Sequence, residues 1–178
     1  YISGDTSLVY TPVSNANGSA VITVSVEDDG GTDNNGADST ATTFTVTVNA
    51  VDDSPTVSSG ILDITVNEDA SNTTIDLSSV FTDIDNDDSD IAKAVQSNSN
   101  TSLVSTTINE NILTLDYQSN QNGSATIVVR GTSNGLTVDD SFTVTVNAID
   151  DSPTVSSEIS DITVNEDASN TTIDLSSV

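Results

Sequence analysis

One stretch of this chain is written twice. Residues 50–80 read AVDDSPTVSSGILDITVNEDASNTTIDLSSV and residues 148–178 read AIDDSPTVSSEISDITVNEDASNTTIDLSSV. They differ only at Val51/Ile149, Gly60/Glu158 and Leu62/Ser160, at an offset of 98 residues. That offset is the size of a whole domain, not of one turn of a solenoid. The sequence therefore predicts a tandem array of small domains cut out of phase. Residues 1–53 are expected to be the C-terminal part of one repeat, 54–151 a complete repeat, and 152–178 the N-terminal part of the next.

Within the complete repeat, apolar residues alternate with polar ones in seven short runs. These are Leu62, Ile64 and Val66; Ile75 and Leu77; Ile91 to Val95; Val104 to Ile108; Leu113 to Tyr117; Ala125 to Val129; and Phe142 to Val146. Val, Ile and Thr dominate, and Asn, Asp, Ser and Gly clusters separate the runs. Period two with β-branched residues argues for strands, and seven strands in about a hundred residues for an all-β, immunoglobulin-like antiparallel sandwich. The first part supplies only three runs (Leu8 and Tyr10, Ala20 to Val26, Phe44 to Val48), and 154–178 only the first two. Tyr10 and Tyr117 are expected to pack under a loop corner, and Arg130 to lie on the polar face.

The charge narrows the partners. Twenty-eight acidic residues face only Lys93 and Arg130, giving a net charge of −26, with no Cys, His, Met or Trp. Nucleic acid is excluded as a direct partner, because phosphates need Lys and Arg to displace their counterions. Anionic membrane surfaces are disfavoured for the same reason. Cations are the natural partners. Of the acids only five are Glu, and many Asp are clustered, as hard-oxygen metal ligation requires. Diffuse solvation would use Glu as freely.

Numbering the expected strands A to G, alternating in direction, puts the linkers, the A–B loop and the E–F loop at one pole of each domain. The B–C and F–G loops fall at the other. The linkers carry Asp52-Asp53 and Asp150-Asp151, the A–B loop Glu68 (repeated as Glu166), and the E–F loop opens with Asp116. The B–C loop, FTDIDNDDSDI, holds Asp83, Asp85, Asp87, Asp88 and Asp90. End-to-end stacking then gathers carboxylates at each junction, where Ca²⁺ would remove their repulsion and stiffen the linker. An EF-hand is not expected: Asp83-x-Asp85-x-Asp87 lacks the Gly at the sixth position and the Glu at the twelfth, where Ala94 stands.

The order VNED, TDID, LTLDY, VTVNAIDDSP resembles the cadherin-like repeats of giant bacterial surface adhesins. The resemblance implies two ligand groups: Asp52 and Asp53 with Asp83 and Asp85 at one junction, and Glu68 and Asp116 with Asp150 and Asp151 at the next. Glu166 would serve a further repeat. The F–G loop of the first copy offers Glu27 and Asp28, where the complete copy has Thr132-Ser133-Asn134. On this reading the chain is a non-enzymatic, calcium-rigidified extender of an extracellular adhesin or surface fibre, with Ca²⁺ and neighbouring repeats as partners. The alternatives are a self-assembling subunit of a filament, sheath or surface layer, and a carbohydrate- or ice-binding repeat. Five Asn-x-Ser/Thr sequons, at Asn17, Asn72, Asn100, Asn122 and Asn170, are compatible with a surface location.

Overall fold

The computed structural model describes residues 7–178; the first six residues of the expected 1–53 part lie outside them. The described chain is nearly all β, with two single-turn 3₁₀ segments. Its strands are β1 (Gly18–Glu27), β2 (Ser39–Val48), β3 (Thr56–Val57), β4 (Ile64–Asn67), β5 (Thr73–Asp76) and β6 (Phe81–Thr82), then β7 (Ala92–Asn98), β8 (Val104–Asn109), β9 (Ile112–Tyr117), β10 (Gly123–Ser133) and β11 (Leu136–Asn147).

Between residues 54 and 151 the strands form a four-stranded sheet, β4-β11-β10-β7, a three-stranded sheet, β5-β9-β8, and the short pair β3-β6. The alternating residues do what their period demands. Leu113, Leu115 and Tyr117 from one sheet and Ala125, Ile127, Val129, Phe142, Val144 and Val146 from the other enter one buried cluster with Leu77, Phe81 and Leu103. Tyr117 reaches it while its hydroxyl donates to Thr73 Oγ1 at 2.8 Å, which satisfies the polar tip.

Several expectations are corrected. The sheets are not purely antiparallel, because β4 runs parallel to β11, from Ile64↔Val144 to Asn67↔Asn147. Carboxylates take up the N–H groups where that pair begins: Asp63 Oδ1 accepts from Thr143 N at 2.7 Å, and Asp140 Oδ2 from Ile61 N at 2.7 Å. The two-residue pair β3-β6 is too short to show a period and was not anticipated. Leu62 is exposed, one residue before Asp63 turns the chain onto the sheet edge. Residues 8–10 form no strand, and Tyr10 is 63% exposed instead of packed under a corner.

The chain's own repetition shows how far context decides the outcome. Residues 44–50 and 142–148 are both FTVTVNA, yet Phe142 is 2% exposed and Phe44 41%. Among the described residues β1 and β2 pair with each other alone and no second sheet covers them, whereas β10 and β11 are covered by the sheet β5-β9-β8. Likewise residues 162–165 repeat the β4 sequence but form no strand, and the whole 154–178 segment is exposed. A strand is a paired object, and among the described residues no strand edge pairs with this segment. Local turns, by contrast, recur faithfully. Ser78 N and Ser176 N bond Asp76 Oδ1 and Asp174 Oδ1 at 2.8 and 2.9 Å, and Asp69 and Asp167 both have φ of 61°.

Candidate cation site

At one end of the 54–151 unit, three separate segments meet. The first is the linker around Asp52 and Asp53. The second is the loop that leaves β6 at Asp83 and passes through a 3₁₀ turn at Asp88–Asp90. The third is the two-residue turn Asn134-Gly135 between β10 and β11, both at positive φ, 45° and 88°. Such a turn suits Asn-Gly and matches the twist of a hairpin. An open cleft lined by Asn15, Asp53, Thr56, Thr82 and Asp83 leads into the junction.

The loop is held in shape by its own acids. Asp88 Oδ1 accepts from Asp83 N at 2.8 Å and from Thr82 Oγ1 at 3.0 Å. Asp87 caps the 3₁₀ turn, accepting from Ser89 N at 2.9 Å and Ser89 Oγ at 2.7 Å. Asp83 Oδ1 accepts from Asp85 N at 2.9 Å, Asn86 N at 3.1 Å and Asn86 Nδ2 at 3.3 Å. Short polar side chains bonding backbone two or three residues on are the ordinary currency of such turns.

Two side-chain amides tie the linker to this loop and to the β10–β11 turn. Asn86 Nδ2 donates to Asp52 Oδ1 at 2.9 Å as well as to Asp83, so one NH₂ group stands between two carboxylates. Asn134 Nδ2 donates to Asp52 Oδ2 at 3.0 Å, and Asp53 N to Asp85 Oδ2 at 2.8 Å. Asp52, Asp53, Asp83 and Asp85, paired by the sequence reading, are thus brought into one neighbourhood. Asn86, Ser133 and Asn134 were not anticipated as contributors. Neutral side chains carry no charge signal, and only the fold brings the β10–β11 turn to the linker.

Asp83 stands apart. It is 9% exposed, and buried Ser133 (5%) is its neighbour. The N–H of Asp85, then the Ser133 hydroxyl and Asn86, hold its carboxyl below the ordinary aspartate range. No hydrogen bond of good geometry reaches Oδ2, which is buried without a partner. A buried anionic oxygen left unpaired is costly and rare. Among the described residues, however, no three acidic side chains converge closely enough to hold an ion as they stand.

The depressed groups fix a sign. Asp83 and Asp87, the latter held down first by the Ser89 hydroxyl, ionise more readily folded than unfolded. Their contribution to stability is present above the unfolded aspartate value, near pH 4, and is lost as pH falls through the lower folded values. Carboxyl carbon shifts followed with pH are expected to place both midpoints below that of free aspartate. A midpoint for Asp83 at or above that value would contradict the hydrogen bonding described.

In the second predicted group, Glu68 lies against the start of the next linker, its N–H donating to Asn147 O at 2.9 Å. Glu68 is buried, and its Oε1 accepts a hydrogen bond from Ile149 N. Asp116 Oδ2 accepts from Ser105 Oγ at 3.4 Å. No hydrogen bond among the described residues ties exposed Asp150 or Asp151 to either. Glu27, Asp28 and Glu166 are exposed, and no hydrogen bond among the described residues joins them to either group; Asp28 Oδ1 accepts from Gly30 N and its N–H donates to Asp38 O, both within the β1–β2 loop.

No protein-family model and no curated protein matches this sequence. Solved structures to which it is similar include two of the endo-fucoidan hydrolase MfFcnA4 and one of MfFcnA9, both from glycoside hydrolase family 107. The identities are 17%, 14% and 15% and the TM-scores 0.41, 0.39 and 0.38, over 64%, 78% and 76% of this chain. The chain spans about a fifth of those chains, 18%, 20% and 23% of their lengths. The neighbours found are enzymes, and on that finding the expectations of a non-enzymatic adhesin extender, a filament subunit and a carbohydrate- or ice-binding repeat are withdrawn. At this level of similarity the comparison assigns no catalytic residue and no substrate to this chain.

Proposed function

We propose that residues 54–151 are an immunoglobulin-like β-sandwich that binds a hard divalent cation, Ca²⁺, where the linker, the 83–90 loop and the β10–β11 turn meet. The observation that carries this reading is the buried carboxylate of Asp83, whose Oδ2 has no hydrogen-bond partner and whose Oδ1 shares the Asn86 amide with Asp52 and accepts from Asp85 N. Ca²⁺ takes six to eight oxygens at about 2.3–2.6 Å. Carboxylate oxygens of Asp83, Asp85 and Asp52 and amide oxygens of Asn86 and Asn134 are the available hard donors. The amide NH₂ groups now lie against the carboxylates, where positive charge is needed. An arriving ion would displace them, and rotation of each amide would present its oxygen instead.

Because the three carboxylates must close in for this to happen, the ion fixes residues 52–53 to the loop and orders the chain entering the domain. A site that must reorganise, in a partly open cleft, belongs with weak sites of about 10⁻⁴–10⁻³ M, which fill outside cells. We therefore place the domain in an extracellular setting. Its partners on this reading are the ion and the preceding segment of its own chain.

Calorimetric titration of the 178-residue chain with Ca²⁺ tests this, with Asp83→Asn and Asp38→Asn alongside. Asp38, exposed in the β1–β2 loop, controls for diffuse attraction to a net charge of −26. A saturable site that survives Asp38→Asn and weakens about tenfold or more with Asp83→Asn, a change of about 1.4 kcal/mol, is expected. Equal binding by all three chains would rule the site out.

A further inference from the structure

We propose that Asn134 is a deamidation site whose conversion switches the attachment of the linker. The chain holds four Asn-Gly pairs, at Asn17, Asn35, Asn122 and Asn134. Glycine after asparagine leaves the following amide nitrogen unhindered. That nitrogen attacks the side-chain Cγ, the C–N bond of the side-chain amide breaks, and ammonia leaves with the displaced proton. The resulting five-membered succinimide is opened by water to aspartate or isoaspartate. The net reaction consumes one water, releases one ammonia, and needs no oxidant, reductant or enzyme.

The fold makes the four pairs unequal. Gly36 N is already bonded to Asp33 O at 3.2 Å, so the attacking group beside Asn35 is engaged. Asn17 and Asn122 precede glycines of nearly equal φ, 133° and 131°, that open β1 and β10. Conversion there adds charge to an exposed loop and little more. Asn134 differs because its Nδ2 donates to Asp52 Oδ2, on a segment 82 residues away in sequence. Conversion replaces an N–H donor facing a carboxylate with a second carboxylate, and attraction becomes repulsion.

Two consequences follow locally. Asp52 keeps its bond from Asn86, and Asp53 its bond to Asp85, so the linker is loosened and not freed. Isoaspartate also adds a methylene to the backbone of a two-residue turn, against the last rung Ser133↔Leu136, and so disturbs buried Ser133 beside Asp83. The carboxylate of Asp52 guards the reaction in turn. By accepting the amide N–H it pins the side chain and makes Cγ a poorer electrophile. If the cation reading holds, a charged carboxylate takes the place of the Asn134 amide oxygen as a ligand, so that the same change weakens the attachment without the ion and tightens it with the ion. The chemistry at Asn134 does not depend on that reading.

The test holds the full chain and Asp52→Ala at mildly alkaline pH and follows each Asn-Gly pair by peptide mass mapping, with Asn122 as internal clock. Conversion at Asn134 that is several-fold faster in Asp52→Ala, with Asn122 unchanged, is expected. Equal rates at Asn134 in both chains, or an intact Asn134 while Asn122 is consumed, would overturn the proposal. A second arm measures hydrogen exchange at Asp53 N in Asn134→Asp. Faster exchange than in the parent chain without divalent ion supports the switch, and unchanged exchange overturns it. If exchange quickens but added Ca²⁺ fails to slow it, the switch stands and the cation reading fails.

Discussion

Phe81→Ala is expected to lower stability by about 3–5 kcal/mol, the range for emptying a large aromatic site in a packed core. Phe81 is 1% exposed and lies in the cluster shared by both sheets. Its ring rests directly on the backbone of β10: a Cβ at Gly131 would lie 2.7 Å from Phe81 Cγ and 3.0 Å from both Cδ atoms. Those atoms are backbone and rigid ring, so neither gives way cheaply. A glycine inside a strand often marks such a close approach, and Gly131→Ala is expected to cost about 1–3 kcal/mol by overpacking. The two sites share one contact, so their effects should not add. Phe81→Leu, which shortens the ring to a branched chain, should recover part of the Gly131→Ala loss when the two are combined. Urea denaturation reads all four chains, with the midpoint shifting and the slope unchanged. Strict additivity in the double variant would show that ring and strand do not press on each other. The same anchor serves the site, since Phe81 starts the path that leads two residues later to Asp83.

How much of this was legible beforehand depended on whether the information was local. Turns formed by a few consecutive residues appear twice with the same geometry wherever their sequence appears twice, as at Asp76-Leu77-Ser78 and Asp174-Leu175-Ser176. The strands of the 54–151 unit were legible because their alternation reports one buried face. The sequence counts seven runs in 54–151 and only two in 154–178, but it did not show that those two would form no strand at all. Residues 64–67 and 162–165 are the same four residues, ITVN, and differ only in having β11 beside them. The parallel edge pairing also escaped, since alternation is the same in either direction. For the site, charge clustering pointed to Asp52, Asp53, Asp83 and Asp85, and the fold brings them together. It gave no hint of Asn86 or Asn134, whose amides join those carboxylates, because an uncharged side chain announces itself only through its neighbours. At Glu68 the acidic pattern gave no hint that Oε1 accepts the backbone N–H of Ile149 and so holds the start of the next linker.

Raising Ca²⁺ is expected to raise the unfolding temperature progressively, and Asp83→Asn to remove most of that rise. An ion bound only by the folded state stabilises it by RT ln(1 + [L]/Kd), about 2.7 kcal/mol at a hundredfold excess over Kd. For a unit of this size each kcal/mol moves the midpoint by about 4–8 °C, so the full effect is roughly 10–20 °C. Screening of the −26 net charge acts in the same direction. The comparison is therefore made against NaCl at matched ionic strength, where screening by the ionic atmosphere is held equal. Without divalent ion the order of the two chains should change. Asn at position 83 keeps a carbonyl oxygen able to accept from Asp85 N and Asn86 N, and it removes the carboxylate oxygen that is buried without a partner. Trading an unpaired buried charge for a neutral group offsets what the weaker acceptor loses. The variant should then fall within about 1 kcal/mol of the parent chain in NaCl and well below it in CaCl₂. This crossing separates a specific ion site from a merely structural aspartate, whose removal would lower both curves by the same amount. Parallel curves in the two salts would mean that Asp83 shapes the loop and holds no ion.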